Sequence, residues 1–347
     1  MLEAVQQIQQ VVQRNCDIAD ARHGADYGMC TYLMKMREYY RWEQGLAFDA
    51  VLPKNAVGDW LVQREDLWSA LAEEDFAPIP LAGRTFDPFD TEAINQALEP
   101  RGLVYSAGLV HGAKPHFFLG QLTSKEAPSD GFSLWIADRE LARCLSTPPA
   151  MNAGHTIFLR RESLRRFLWE KLESWRWSRL DNAMGRALAC YPFETDLETA
   201  LGRMTEHELA TAREHEIGEF HAGLLLGQAW NEMLMDVAFT PAELMARAVR
   251  DHLADCSRTL PMLLETGREA SIHFFIGNLG AMRKQLFPSL SHAYEAWREQ
   301  GDLMPLAEAA RRGETHWRDL AQAMVELHGR QGSGAAALAE LVESRLL

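Results

Sequence analysis

The chain has 347 residues, 47% hydrophobic and 24% charged, a composition near the globular average that excludes disorder, collagen-like repeats and coiled coils. With 49 acidic against 35 basic side chains and a formal net charge of −14, it repels a phosphate backbone, and no nucleic-acid partner is expected. Its length suits two domains, each with a core of its own.

The opening residues hold no basic leader followed by a long apolar run, and no stretch reaches the roughly 18 apolar residues of a membrane span. A cytoplasmic protein with no membrane partner is therefore expected. Cys16, Cys30, Cys144, Cys190 and Cys256 include no CxxC pair, which fits reduced thiols.

Residues 1–43 predict helix with a break near Asn15 and Asp17, because Met29, Leu33, Met36 and Tyr40 recur at helical spacing. On this segment Cys16, Asp20, His23, Tyr27 and Cys30 fall at i, i+4, i+7, i+11 and i+14, one face of a helix. A thiol, a carboxylate and an imidazole there make Cys16, Asp20 and His23 candidate ligand-binding residues, with Tyr27 and Cys30 as candidate catalytic groups. On a straight helix the two cysteines stand about 21 Å apart, too far to share a metal ion or a disulfide. The plainer reading makes the cysteines small apolar residues and gives Asp20 and His23 local hydrogen bonds.

MREYYRWE, residues 36–43, follows. Arg37 and Arg41 lie one turn apart and are candidates for clamping an anion, since guanidinium forks match carboxylate and phosphate geometry. An aromatic-rich helix also packs interfaces, so the same residues suit a partner surface. Taken together, NCDIADARHGADYGMCTYLMKMREYYRWE, residues 15–43, resembles an uncharacterised bacterial family built of an N-terminal and a C-terminal domain of unknown function. The resemblance implies a bacterial, cytoplasmic origin and a two-domain division. It carries over no activity and no catalytic residue.

A helix is predicted over residues 55–74, then a Pro-rich linker, FAPIPLAGRTFDPFD, then a short helix capped by Asp90 or Thr91. From residue 102, GLVYSAGLV and HFFLGQL flank the loop HGAKP and predict a hairpin, with GFSLWIAD and HTIFLR as further strands. RELARCL reads as helix. Short connections favour antiparallel pairing. Residues 1–197 are thus expected to form an α+β domain with a small antiparallel sheet, and residues 198–347 an all-α domain of five or so helices. A GRQGSG hinge precedes its last, amphipathic helix.

The helical half holds the candidate metal ligands, whose plainer reading is exposed helix charges and capping acids. Glu208, His215 and Glu219 lie within about 60° of one another at 100° per residue, and His/Glu pairs one turn apart can reach a single ion. His252 or His273 would complete the set, His273 favoured because Gly277 and Gly280 leave room for a close helix. His215-x-x-x-Glu219 is similar to one ligand element of hemerythrin-like bundles, and Glu208 with His215 resembles the first ligand pair of haem-oxygenase-like di-metal oxidases. The remaining elements of both patterns are absent. No GxxxxGK[ST], GxGxxG after a strand, HExxH or GxSxG occurs.

Two functions are carried forward. One is a non-haem oxidoreductase using iron or another divalent metal; the other is an adaptor binding a protein partner, or a second copy of itself, through its aromatic-rich helices.

Overall fold

The computed structural model describes residues 2–81, 83–110, 114–127, 130–331 and 334–347. The chain divides into two compact units, Met1–Lys171 and Leu172–Leu347.

In the first unit, α1 (Leu2–His23) is unbroken through Asn15 and Asp17. The expected break is absent there because both polar side chains have partners from far along the chain. The Asn15 amide donates to the Ala77 carbonyl at 2.9 Å and accepts from its N–H at 2.7 Å. The chain breaks instead at Gly24–Asp26, a single 3-10 turn, before α2 (Met29–Glu43) and α3 (Lys54–Leu71). The predicted stripe from Cys16 to Cys30 is therefore not one continuous helical face.

The Pro-rich segment is not plain linker. It folds β1 (Ile79–Leu81) against β2 (Arg84–Phe86), with Gly83 at φ 75° in the turn. After α4 (Thr91–Leu98), capped by Asp90, come β3 (Leu103–Val110) and β4 (Lys114–Glu126) as the expected hairpin. The tip of its loop, residues 111–113, lies outside the described residues. The remaining strands are β5 (Ser133–Arg143), β6 (Ala150–Ala153) and β7 (Thr156–Arg160).

The sheet has five strands in the order β3-β4-β5-β7-β6, so it is larger than expected. It is also mixed, because β5 and β7 pair in parallel from Ser133↔Thr156 to Ala137↔Arg160. Residues 144–155 make this possible: they supply the dozen or so residues a parallel return needs and place β6 antiparallel on the far side of β7. RELAR belongs to β5, not to a helix. Glu140 and Arg143 are buried and matched, Glu140 meeting Arg143, Arg166 and the Ser163 hydroxyl, while Arg139 is exposed.

α1 lies on this sheet, and Ile8, Val12, Cys16 and Ala19, spaced by helical turns, bury against Tyr105, Phe117, Leu119 and Ala142. Burying such side chains stabilises by roughly 1.5–3 kcal/mol each.

α5 (Arg161–Ser178) follows β7 directly. Beyond it the described residues are helical: α6 (Ala183–Ala189), α7 (Leu197–Asp236), α8 (Pro241–Ala254), a π turn (Asp255–Thr259), α9 (Leu260–Thr266) and α10 (Glu269–Asn278). α11 (Ala281–Leu286), α12 (Pro288–Gln300), α13 (Met304–Gln331) and α14 (Ala335–Glu343) complete the chain. The segment 271–300 splits three ways, with Gly280 capping α11 and Pro288 opening α12. α7 is interrupted at Gly227, whose φ of 65° and ψ of −161° are not helical. Trp230, Met233, Val249, Leu253, Leu263, Trp317 and Leu320 form the centre of the helical core. Gly332 and Ser333 of the expected hinge lie outside the described residues.

Candidate metal centre

Three elements of the helical unit converge beside the core. α7 carries His215, Glu216 and Glu219; α8 carries Arg250 and Asp251; the π turn opens with Asp255. Gly218 sets their spacing. A Cβ there would sit 2.6 Å from the Ala254 carbonyl oxygen, so only glycine lets α7 come this close to the end of α8.

The imidazole is held first. His215 Nδ1 lies 2.7 Å from Asp255 Oδ1, and Asp255 is 1% exposed and also accepts from Arg283 on α11. Facing a carboxylate, Nδ1 carries its proton, and Nε2 is left to point elsewhere. It points at Glu219, with 3.7 Å between Nε2 and Oε1. Glu219 Oε1 also accepts from Arg250 Nη2 at 2.9 Å, and the same guanidinium is 3.9 Å from Asp251. His215, Glu219 and Asp251 each offer one ligand atom, all within 4.8 Å of one another.

The charges do not cancel. Glu216, Glu219, Asp251 and Asp255 face two arginines and one imidazole. Burial would raise Glu219, but Arg250 and His215 override it and hold the carboxyl at about 2. Its neighbours bear the consequence. Burial, reinforced by the charge on Glu219, lifts Asp251 to about 6 and Glu216 to about 8. Asp251 and Glu219, two adjoining carboxyls, are thus driven apart in their titration, as expected where two negative charges lie close together in a buried site. A cation taken up between them would offset that repulsion.

His215 and Glu219 are the only members of the sequence-derived ligand set in this group. Glu208 is buried on a different stretch of α7, where Oε1 accepts from the Ser271 hydroxyl at 2.7 Å and burial raises its carboxyl to about 7. His252 turns into the core, stacked 4.9 Å from Trp317, with Nε2 bonded to the Arg283 carbonyl at 2.9 Å. His273 Nδ1 meets the Tyr294 hydroxyl at 2.9 Å. Gly277, expected to make room beside His273, serves the approach of α10 to α6 instead, since a Cβ there would meet the Met184 backbone at 2.7 Å.

Neither Asp251 nor Asp255 is in the sequence-derived ligand set. Their signal was present as an acidic i, i+4 pair, but the adjacent His252 drew attention to the wrong side of α8. Residues 251 and 252 project about 100° apart, so only one can face α7.

In the first unit the candidate residues are dispersed. Cys16 is fully buried, its thiol 3.3 Å from the Phe117 carbonyl and pushed well up by burial. Asp20 accepts the Leu145 N–H at 2.7 Å, and burial raises it well above the ordinary carboxylate value. His23 pairs with Asp26 at 3.4 Å on the surface, Tyr27 is half-buried beneath the Lys35 and Lys114 ammonium groups, and Cys30 is exposed. Arg37 is half-buried. Arg41 is 2% exposed and engaged by Glu38 at 3.1 Å and the Ala47 and Ala50 carbonyls, with its guanidinium 5.7 Å from the Trp169 ring.

Two family models cover nearly the whole chain. Residues 7–160 match the N-terminal domain of a family of unknown function, DUF6866, and residues 165–345 match its C-terminal domain. The chain belongs to the DUF6866 family. The junction between the two DUF6866 domains falls at the start of α5, and the metal-type cluster lies wholly within the C-terminal one. No curated protein and no solved structure matches the chain. No helix among the described residues is long and apolar enough to cross a membrane.

Proposed function

We propose that the C-terminal DUF6866 domain binds a divalent metal ion through His215, Glu219 and Asp251 and uses it in catalysis. One observation carries this reading. With Nδ1 turned to Asp255 at 2.7 Å, Nε2 stands 3.7 Å from Glu219 Oε1, a spacing at which one cation can take both as ligands once the imidazole is neutral. Asp251 brings a third donor atom to the same gap.

The carboxylate behind the imidazole is the usual companion of a metal-bound histidine: it fixes the tautomer and strengthens the ligand. One nitrogen with carboxylate oxygens suits iron(II), manganese or zinc, and three protein ligands leave positions open for water, oxygen or substrate. The oxidoreductase form of the proposal requires the redox-active members of that group. The alternative adaptor role, which would use α2 and the Trp-rich α5, has less support, because Tyr39, Tyr40, Arg41 and Trp169 are buried and Trp177 at the end of α5 is the exposed exception.

The test is metal analysis of protein purified without a histidine tag, wild type beside His215→Ala, Glu219→Ala and Asp251→Asn. Roughly stoichiometric metal in the wild type and loss in each variant is expected. Equal metal in all four, or none in the wild type, rejects the proposal and leaves an imidazolium filling the gap.

A further inference from the structure

The N-terminal unit holds an open cleft of about 560 Å³ between α1 and α3, in the size range of small-molecule sites. α1 supplies Gln9, Gln10, Arg14 and Asp17 to its walls, and α3 supplies Leu67 and Leu71.

Asp17 is the unusual member. Its side chain is 9% exposed, and one oxygen, Oδ1, takes all three of its donors: Arg64 Nη1 at 2.9 Å, Trp68 Nε1 at 3.2 Å and Gln13 Nε2 at 3.4 Å. Its other oxygen, Oδ2, has no hydrogen bond among the described residues. The donors are themselves fixed. Arg64 lies against the Tyr39 and Trp60 rings at 5.3 and 5.2 Å and pairs with Glu43, while Gln13 donates to the Tyr39 hydroxyl at 2.6 Å. The result is a rigidly held carboxylate in the wall of the cleft with its second oxygen unengaged, an acceptor that gives up little freedom on binding.

Arg14 stands three residues before Asp17 on the same face, so their Cβ atoms are about 5–6 Å apart. It is half-exposed and only loosely paired, 3.4 Å from Glu74, with further donors to offer. A ligand that satisfies both groups carries a cation and an anion close together. We propose that this cleft binds a free α-amino acid, its ammonium on Asp17 Oδ2 and its carboxylate on Arg14. The ligand side chain then runs between the Gln9 and Gln10 amides and the apolar wall of Leu67 and Leu71. Burial raises the Asp17 carboxyl, so an ammonium delivered to Oδ2 also relieves a charge that Arg64 only partly offsets.

The test is calorimetric titration of the full chain, with chelator present so that the metal site plays no part. The probes are L-glutamine, L-leucine and L-arginine, with n-butylamine and butanoate as single-charge controls. Saturable binding of at least one amino acid is expected, weakened at least about tenfold in Arg14→Gln and Asp17→Asn and for both controls, because each removes one of two charge-assisted contacts. If Asp17→Asn does not fold, Arg14→Gln and Gln10→Leu, which leave the Arg64 network intact, carry the comparison. No saturable binding of any amino acid up to about 10 mM overturns the proposal. So does n-butylamine binding as tightly as the amino acids, or affinity unchanged in Arg14→Gln.

Discussion

His215 and Asp255 lie 40 residues apart in the chain and 2.7 Å apart in space, joined by Nδ1 and Oδ1. Asp255 also accepts from Arg283. In Asp255→Asn a single amide oxygen cannot serve both donors, so His215 loses its fixed tautomer while all three ligand atoms remain. Metal affinity is expected to fall about 10–100-fold without loss of fold. Competition against a chromophoric chelator measures it, and an unchanged affinity would separate Asp255 from the site.

Gly218→Ala tests the spacing that builds the site. Its new methyl would meet backbone at Ala254, not a movable side chain, so a loss of roughly 1–3 kcal/mol is expected in urea unfolding. Gly223→Ala on the same helix meets nothing within 4 Å and serves as the control.

Glu208 predicts a pH dependence. Its carboxyl rises from 4.5 to about 7 on folding because burial disfavours the charge, so the folded state holds the proton more tightly than the unfolded one. The contribution is fully present below pH 4.5 and is lost as pH rises towards 7, by about 3 kcal/mol in all. Glu208→Gln, neutral at every pH, is expected to flatten this slope and to be the more stable protein at pH 8. Denaturation curves at pH 5 and pH 8 supply the comparison, and parallel curves for the two proteins would count against it.

Thiol labelling reads the burial pattern directly. Cys30 and Cys190 are exposed, whereas Cys16, Cys144 and Cys256 are buried. A thiol reagent is expected to modify the first pair in the native protein, Cys190 more slowly because partial burial raises its thiol. The other three should react only on unfolding. Early modification of Cys16 would contradict the packing of α1 on the sheet.

Which parts of this structure the sequence disclosed follows from where the deciding interactions lie. The β3–β4 hairpin and the helical second half were legible because side-chain alternation and helical spacing are local properties. RELAR misled because its charges look like a helix surface. Only the fold reveals that Glu140 has Arg143 and Arg166 beside it, partners that let a charged segment sit inside a sheet. Asn15 and Asp17 misled in the opposite sense, since Ala77 and Arg64 engage them from a distance. In the site, His215 and Glu219 share one helix and could be paired by spacing. Asp251 joins them only through the crossing of α7 and α8 at Gly218, a contact between elements that no single helix encodes.

The π turn at Asp255–Thr259 makes chain length as important as residue identity. A π turn holds about one residue more than an α turn, and one residue is worth roughly 100° of rotation. Asp255, at its start, points to His215, while Leu260 and Leu263, just past its end, lie in the core. Deleting any one residue between them would force a choice: hold the leucines inward and turn the carboxylate away, or keep the carboxylate and unseat the leucines. Insertions and deletions, more than substitutions, are therefore the lesions this part of the fold is least able to absorb.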